Sequence, residues 1–433
     1  KAIEDIRHHF SRGKKRVLLV SPTGSGKTLI ASSIMQKSNE RGNKNLFVAH
    51  MRELVMQCSR KLGDFGIRHG VIMASKTPNM MASTQVASIQ TLIARKDRED
   101  FILPKADLII LDEAHRSVTG SFKKLIDLYP NSYIIGLTAT PIRNDGHGLG
   151  NIYEELVEAG SIKTLTEQGY LVPTKVVAPT IPDLRKIKVV MGDYEKKALE
   201  KKMNTAKLVG DIVEHWIRFS DTENGYRPTV VFATSIAHSK HIAKIFNQNG
   251  VKAGHIDSKM NELDRETQLA NFDNGTIKVL CNCQILSEGW DSPKTSAIII
   301  ARPTKSYGLY LQIVGRSFRP YPNKKDTLII DHSGCVYEHG FPEDAGNWTL
   351  STKKPKTRDR IKDPLPIEKQ PFTCTRCDTV YTPNRDDYAC PNCALIPTKK
   401  ERIVLIKEGR LVEIIKTKPN ADDKNNFFAQ LLY

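Results

Sequence analysis

The sequence predicts an α/β protein with two parallel-sheet domains in tandem, followed by a small C-terminal domain that binds a metal. Short apolar, β-branched runs recur with helix-length segments between them, at residues 16–20, 45–50, 106–112 and 132–138 and again at 229–234, 277–282, 296–301 and 327–332. Their hydrophobicity is continuous and does not alternate, which is typical of strands buried on both faces of a helix-covered parallel sheet. Two such series predict two sheets, and two close cysteine pairs near the C-terminus predict the third domain.

The length of 433 residues agrees with about three domains of roughly 150 residues each. We expect the first domain at residues 1–145 and the second at 183–345, with a Gly- and Pro-containing connection at 146–182 between them. A basic, proline-containing linker at 346–370 follows, then the cysteine-pair domain at 371–398 and a C-terminal segment at 399–433. For the apolar stretch 402–415 in that last segment, a hairpin and a short helix both stay open.

The charge of the chain indicates its class of partner. A formal net charge of +17, with a pI near 9.4, favours a polyanion such as nucleic acid, although solvated surface lysine is an alternative that charge alone leaves open. No apolar run approaches the ~20 residues that span a bilayer and no signal peptide opens the chain, so we expect no membrane partner. Cysteines scattered outside the two pairs indicate a reducing compartment, which predicts a cytoplasmic protein. The first residues read as the middle of an amphipathic helix, so we expect the natural start upstream of Lys1.

The stretch SPTGSGKT at residues 21–28 lies between a predicted strand and a predicted helix, which is the context of a phosphate-binding loop. Gly24, Ser25 and Gly26 would curl the backbone so that successive amides point at phosphate oxygens. Lys27 would reach the β- and γ-phosphates and Thr28 would ligate Mg²⁺, while the helix start adds its positive end. The general pattern has glycine where this chain has serine at position 21, so the match is imperfect. We predict that this loop binds a nucleoside triphosphate with Mg²⁺.

A second stretch, ADLIILDEAH, supplies carboxylates at the end of another buried strand. Asp112 would hold Mg²⁺ through water, and Glu113 would orient and deprotonate the water that attacks the nucleotide. The alternative is a pair of ordinary strand-end carboxylates. The phosphate-binding loop upstream favours the catalytic interpretation.

Three motifs in a fixed order resemble those of superfamily 2 helicases: DEAH at 112–115, TAT at 138–140 and QIVGRSFR at 312–319. The resemblance covers about residues 15 to 335 and implies two RecA-like domains that form an ATP-driven motor. It is closer to the DEAH-type DNA motors, including phage branch-migration and repair helicases, than to the DEAD-box RNA helicases. The family's adenine-reading glutamine would precede the first helix, so this sequence does not predict base specificity.

The resemblance also implies roles for residues at the interface of the two domains. His115 and the turn from Thr138 to Thr140 would couple the γ-phosphate to nucleic acid and to the second domain. Gly289 and Asp291, in SEGWDSP, would line the cleft from the second domain.

Gln312, Arg316 and Arg319 would face the same cleft, the two arginines as fingers that stabilise charge on the transferring phosphoryl group. Their spacing of i, i+4 and i+7 predicts that one helical face presents all three. A solvated basic helix is the alternative interpretation.

A single strand of nucleic acid would lie across the tops of the two domains, according to the same resemblance. MREL (51–54), TQVASIQTL (84–92) and FATSIAHSK (232–240) resemble the strand-contacting segments of the family. We name Arg52, Thr91, Thr234 and Ser235 as candidate contacts, which would be mainly to phosphates. Each of them is also compatible with a helix cap or an ordinary surface position.

The cysteine pairs CTRC (374–377) and CPNC (390–393) predict a zinc ribbon, in which Cys374, Cys377, Cys390 and Cys393 deliver four thiolates to Zn²⁺. Disulfides are the alternative, which a reducing compartment disfavours. Arg376, Tyr381, Arg385 and Tyr388 are candidates for contact with duplex or forked DNA, and a structural or protein-docking role is the alternative.

The sequence thus predicts a nucleic-acid-stimulated ATPase that moves along and unwinds forked or branched DNA in replication, recombination or repair. The family expectation is 3′→5′ movement. We expect a monomer, with a replication or recombination protein as a further partner. An RNA duplex remodeller and an ATP-gated binding module that recruits a partner protein are the two alternatives. Neither the preferred junction nor the pathway follows from the residues.

Overall fold

The computed structural model describes residues 1–352, 371–383 and 388–397, apart from residues 75, 77, 119, 144–146, 180–181, 191 and 224. The predicted C-terminal segment 399–433, residues 353–370 of the predicted linker and the candidate contact Arg385 lie outside these described residues.

The first lobe is built on one parallel sheet. Its strands are β1 (Arg16–Val20), β2 (Asn45–Ala49), β3 (His69–Ile72), β4 (Thr84–Ser88), β5 (Leu108–Leu111), β6 (Tyr133–Thr138) and β7 (Glu155–Glu158). Its helices are α1 (Ala2–Ser11), α2 (Lys27–Asn39), α3 (Arg52–Asp64), α4 (Ile89–Arg95) and α5 (Gly120–Leu128). The strands lie in the order β3-β4-β2-β5-β6-β1-β7, and every pairing is parallel.

Helices cover this sheet on both faces. Val17 and Leu19 of β1 pack into one apolar cluster, and Leu18 and Val20 pack into another on the opposite side. All four side chains are buried. Because both faces of a central strand need apolar residues, its sequence is a continuous apolar run. The predicted α/β class with doubly covered sheets is confirmed.

The second lobe repeats this plan. It contains α6 (Ile162–Glu167), β8 (Thr174–Val177), the short strands β9 (Val189–Val190) and β10 (Asp193–Tyr194), α7 (Lys196–Met203), α8 (Ala206–Ser220), β11 (Thr229–Phe232), α9 (Ile236–Gln248), β12 (Ala253–Ile256), α10 (Glu262–Asp273), β13 (Val279–Asn282), β14 (Ala297–Ile300), α11 (Tyr307–Val314), β15 (Thr327–Asp331) and α12 (Cys335–His339). Six strands form a parallel sheet in the order β12-β13-β11-β14-β15-β8, and β9 pairs with β10 as a separate antiparallel hairpin. In β11, Val230 and Phe232 face one cluster and Val231 faces the other.

The chain between the two sheets contributes a strand to each of them. The interval 146–182 contributes β7 to the edge of the first sheet, beside β1, and β8 to the edge of the second, beside β15. After the second lobe, residues 346–352 return to the first lobe. There Gly148 and Gly150 donate their backbone N–H groups to the carbonyl oxygens of Ser351 and Leu350, at 3.0 and 2.9 Å.

The cysteine-pair segment forms a small antiparallel ribbon from β16 (Phe372–Thr373) and β17 (Val380–Tyr381). It docks against the edge strand of the second sheet, where Thr379 forms an antiparallel bridge with Val177. Val380 is buried within an apolar cluster of the second lobe. The ribbon is therefore attached to the sheet by both backbone pairing and apolar packing.

Candidate functional site

The phosphate-binding loop occupies residues 21–26, between β1 and α2. Gly24 and Gly26 both have a φ of +86°, in the left-handed region that glycine adopts without steric cost. Gly26 is the N-cap of α2, so the positive end of that helix begins directly after the loop. The hydroxyl of Ser25 donates to the carbonyl oxygen of Pro22 at 2.6 Å, which closes the loop on itself. This geometry suits an anionic phosphate group.

Lys27 is the first residue of α2, and its ammonium lies beside the loop. Nζ donates to the carbonyl oxygens of Ser21 and Pro22, at 3.2 and 3.4 Å. Burial has the largest effect and lowers the pKa of Lys27, while the carboxylates of Glu113 and Asp112 act in the opposite direction. An anionic ligand in the cleft would further stabilise this buried cation.

Asp112 and Glu113 follow the buried strand β5 and are each 7% exposed. Glu113 has a φ of +50°, a left-handed conformation that costs free energy for a residue with a side chain. Burial, assisted by the charge of Glu113, raises the pKa of Asp112 to about 6. Burial also acts to raise the pKa of Glu113, but the hydrogen bond and charge of His115 outweigh it, so that pKa is lowered. Two adjacent buried carboxylates fit a divalent cation, whose charge would offset their repulsion.

Two arginines of the second lobe face Lys27, Asp112 and Glu113 across a cleft. The guanidinium of Arg316 donates to the carbonyl oxygens of Trp290 and Ser287, at 2.6 and 2.7 Å. Arg319 forms an ion pair with Asp291, and burial lowers its pKa to about 10. A Cβ placed on Gly24 would lie 3.0 Å from Cγ of Arg319, so the two lobes touch at the phosphate-binding loop.

The cleft between the lobes has a volume of about 270 Å³. Its lining includes ten of the residues that the sequence predicts for nucleotide binding and catalysis: Gly24, Gly26, Lys27, Thr28, Asp112, Glu113, Gly289, Asp291, Arg316 and Arg319. Leu54, Gln57 and Lys61 of α3 also line it, and the sequence analysis missed them. Leu54 ends the MREL stretch, and Gln57 and Lys61 follow it on the same helix, so helical periodicity from Leu54 was the available signal.

Gln312, Ser25 and His115 are not part of this lining. Gln312 is buried on α11, which ends at Val314, and the next turn, Gly315–Ser317, is a 3₁₀ helix. The prediction that one α-helical face presents Gln312, Arg316 and Arg319 is therefore wrong. The two arginines lie after the α-helix, where the tighter turn aims them differently from Gln312.

The turn from Thr138 to Thr140 lies between the acidic pair and the second lobe. Oγ1 of Thr138 is 3.5 Å from Nδ1 of His115, and it accepts the backbone N–H of Thr140 at 3.1 Å. Oγ1 of Thr140 lies 3.4 Å from the position of a Cβ on Gly308, at the start of α11. This turn therefore lies close both to His115 and to the start of α11.

Glu288 is an interface residue that the sequence analysis missed, although it directly precedes Gly289 in the SEGWDSP stretch. Its carboxylate lies 2.9 Å from Nε2 of His50, 2.9 Å from Nη2 of Arg116 and 3.9 Å from Nε2 of His115. All three belong to the first lobe. Burial alone would raise the pKa of Glu288, but the hydrogen bonds from His50 and Arg116 and the nearby positive charges lower it to about 2. Glu288 is thus an ionised contact between the lobes.

The candidate nucleic-acid contacts lie on segments that follow the carboxyl ends of parallel strands. Arg52 follows β2 and forms an exposed ion pair with Glu262 of α10, across the two lobes. Thr91 lies in α4 after β4, and its side chain is buried.

Thr234 and Ser235 follow β11 in the second lobe. The hydroxyl of Thr234 lies 2.9 Å from Nδ1 of His238. Ser235 is the N-cap of α9 and accepts the backbone N–H of His238 at 3.0 Å. The capping oxygen of Ser235 is therefore already used within the protein, while its hydroxyl proton can still be donated.

The four cysteines of the two pairs come together in the ribbon. Their sulfur atoms all lie within 4.8 Å of one another, with Cys374 and Cys393 3.5 Å apart and Cys377 and Cys390 3.6 Å apart. All eight cysteines of the chain are free thiols. A tetrahedral Zn²⁺ with Zn–S bonds of about 2.3 Å requires sulfurs about 3.8 Å apart. The side chains present fit that ion.

Two family models match the chain. Residues 1–143 match "Type III restriction enzyme, res subunit", and residues 209–320 match "Helicase conserved C-terminal domain". A 51.5 kDa protein of a Lactococcus phage (isolate 7-9) is 31% identical over 331 residues, which are 76% of this chain and 68% of the phage protein.

The chain belongs to the superfamily 2 helicases. IRC3 of Saccharomyces cerevisiae, which carries the name of an ATP-dependent helicase, is 30% identical to it over 351 residues, covering 77% of this helicase and 50% of the yeast protein. A solved structure of the Type ISP restriction-modification enzyme LlaBIII bound to DNA has the same fold, with a TM-score of 0.58 and 20% identity over 76% of this chain and 27% of that one. This helicase therefore spans about half of the yeast protein and about a quarter of the restriction enzyme. Within the described residues, no helix is both long and apolar enough to cross a membrane.

Proposed function

We propose that this helicase hydrolyses ATP to move along DNA and to unwind forked or branched DNA in replication, recombination or repair. The observation that carries the proposal is the composition of the cleft. Lys27, Asp112 and Glu113 of the first lobe face Arg316 and Arg319 of the second across about 270 Å³. A nucleotide bound there would touch both lobes at once, so its hydrolysis would change how strongly they are held together.

In this proposal the first lobe holds and cleaves the nucleotide. Lys27 binds the β- and γ-phosphates, and the amides of the loop around Ser25 bind phosphate oxygens. Thr28 and Asp112 would hold Mg²⁺, which supplies charge neutralisation at the phosphates. Glu113, which its lowered pKa keeps ionised, orients the attacking water and accepts its proton.

The arginines of the second lobe stabilise the charge that develops on the transferring phosphoryl group. In the present structure Arg319 is held by Asp291, at the edge of the phosphate-binding loop. We infer that ATP attracts this guanidinium more strongly than one partly exposed carboxylate does, because a triphosphate carries several negative charges. Arg319 would then exchange Asp291 for phosphate, and Gln312 would support the turn from within α11.

Coupling to the nucleic acid runs through a chain of contacts. Glu113 lies 3.3 Å from His115, and His115 lies near both Thr138 and Glu288. Glu288 also contacts His50, two residues before Arg52 in the sequence. Loss of the γ-phosphate at Glu113 would thereby be communicated to the segment proposed to hold the strand.

DNA fits the charge and the candidate contacts. The net charge of +17 favours a polyanion. Arg52, Thr91, Thr234 and Ser235 would contact phosphates, with little sequence information. Because Arg52 is paired with Glu262, a strand phosphate would have to replace that carboxylate. Binding would thus break one lobe-to-lobe contact and make another.

The ribbon has a structural part in this proposal. Zn²⁺ held by the four cysteines would supply most of the folding free energy of so small a segment. Asp378 accepts from Arg218 of α8 at 3.1 Å, and Asn392 accepts from Lys175 of β8 at 2.7 Å. We propose that the ribbon moves with the second lobe as one body and presents exposed side chains such as Tyr388 to duplex DNA.

Parallel measurements of ATP hydrolysis and strand displacement test the proposal. Single-stranded DNA, forked DNA, blunt duplex and matched RNA are compared at equal concentration, with Glu113→Gln as the inactive control. Stimulation and displacement by forked DNA, with neither by RNA, is the expected result. Equal or greater stimulation by RNA, or hydrolysis without displacement, would overturn the DNA-helicase proposal.

A further inference from the structure

Lys324 is a partly buried lysine that lies outside the motifs described above. It is placed where two cleft-lining segments of the second lobe meet. Its Nζ donates to four backbone carbonyl oxygens, those of Pro293, Thr295, Ser317 and Arg319, at 3.1, 2.6, 2.6 and 2.8 Å. Two of these carbonyls belong to the turn that carries Arg316 and Arg319. The other two follow directly on the segment that contains Gly289 and Asp291.

Three cationic side chains join these two segments: Arg316, Arg319 and Lys324. Arg316 donates to the carbonyls of Ser287 and Trp290, and Arg319 pairs with Asp291. Lys324 joins the same segments on the far side of the arginine turn. Unlike the two arginines, it does not line the nucleotide cleft.

The ammonium is well matched to this position. It has three N–H donors to share among four carbonyl dipoles, and hydrogen bonds to a charged donor are stronger than those between neutral groups. Burial, the largest effect, and the charges of Arg227 and Arg319 lower the pKa of Lys324 to about 7, with Asp326 opposing them. A cation here thus costs free energy, and the four carbonyl contacts act against that cost. An apolar side chain would leave those carbonyls without this donor.

We propose that Lys324 is a positioning residue for ATP hydrolysis, which clamps the Ser317–Arg319 turn to Pro293–Thr295 and so fixes the guanidinium groups of Arg316 and Arg319 at the phosphates. The inference rests on the proposed function, because it concerns the same site. Lys324 touches neither nucleotide nor metal in this scheme. Its effect is on the placement of the arginines, where an error of about 1 Å costs about 100-fold in rate.

Steady-state ATP hydrolysis by the full chain with saturating single-stranded DNA tests this role. Lys324→Met keeps the length of the stem and removes the donors, and Lys324→Gln keeps two of them. Lys325→Met is the matched control, since Lys325 is the exposed neighbour in sequence. We expect kcat to fall by about 10- to 100-fold in Lys324→Met and by less in Lys324→Gln, with a smaller change in KM for ATP and wild-type kinetics in Lys325→Met.

Thermal unfolding of each variant separates positioning from folding. If Lys324→Met melts like the wild type and keeps its kcat, or if KM alone changes, the inference is overturned. If Lys324→Met does not fold, Lys324→Gln decides in the same way, and a wild-type kcat in that variant overturns the inference. Absence of ATP hydrolysis in the wild-type chain would overturn the proposed function itself. A normal rate in both the wild type and Lys324→Met would overturn only the role of Lys324.

Discussion

Glu288→Gln removes a carboxylate that lies against three side chains of the other lobe: His50, His115 and Arg116. The surroundings lower the pKa of Glu288 from 4.5 to about 2. Each pKa unit corresponds to about 1.4 kcal/mol, so they favour the ionised form by about 3 kcal/mol. The side chain is 12% exposed, but that of Arg116 is 43% exposed, and solvent screening reduces its share. We therefore expect the variant to lose between about 10- and 100-fold in the equilibrium that holds the lobes together.

The assay compares basal and DNA-stimulated ATP hydrolysis. Because Glu288 lies between the acidic pair and the segment that carries Arg52, its loss should reduce the stimulation by DNA and leave the basal rate largely intact. Glu338→Gln is the matched control, since Glu338 forms its ion pair with Lys305 inside the second lobe. An unchanged stimulation ratio in a Glu288→Gln protein of wild-type melting temperature would refute the reasoning. An equal loss in Glu338→Gln would do so too.

Three further results are expected. Arg319→Ala should lower the DNA-stimulated kcat by about 1000-fold, with nucleotide affinity less affected. An unchanged rate in single-turnover assays would show that Arg319 does not stabilise the transferring phosphoryl group. Removal of the metal by a chelator, or Cys390→Ser, should unfold the ribbon and also lower the melting temperature of the second lobe. The reason is that Val380 and Thr379 of the ribbon pack and pair at the edge of that lobe. If amide hydrogen exchange became faster in the ribbon alone, this expectation would be wrong. Burial lowers the pKa of His238 to about 4 and that of His332 to about 3, so both stay neutral in the folded state. The unfolded chain binds protons first as pH falls below 6.5, and stability should drop by about 2 kcal/mol per histidine between pH 6.5 and 5, which thermal melts at the two pH values would measure.

The sequence predicted eight of the nine inner strands of the two large sheets and missed the edge strands. All eight predicted apolar runs form strands, because a central strand is covered on both faces and reads as a continuous apolar stretch. The inner strand β4, with the sequence TQVAS, was missed, and so were the edge strands β3, β7, β8 and β12. These edge strands contain polar residues such as His69, Glu155 and His255. An edge strand tolerates such residues because only one of its sides pairs with a neighbouring strand.

Local chemistry was also predictable where one short segment supplies it. The phosphate-binding loop needs glycine at positions of positive φ, and Gly24 and Gly26 adopt them. The carboxylates of Asp112 and Glu113 and the four cysteines are brought together by short spacings along the chain, so their motifs could be read directly.

Only the tertiary structure decided how the distant segments meet. Glu288 and His50 are brought together by the contact of two lobes, and the four carbonyls around Lys324 come from two loops that their sequences do not connect. The spacing of Gln312, Arg316 and Arg319 even gave a wrong expectation, because the helix tightens after Val314. Periodicity determines which face of an element is buried, whereas packing between elements determines which charges face each other. The sequence by itself therefore determined the chemistry available to this helicase, and the contact of its lobes decided which of those groups share a site.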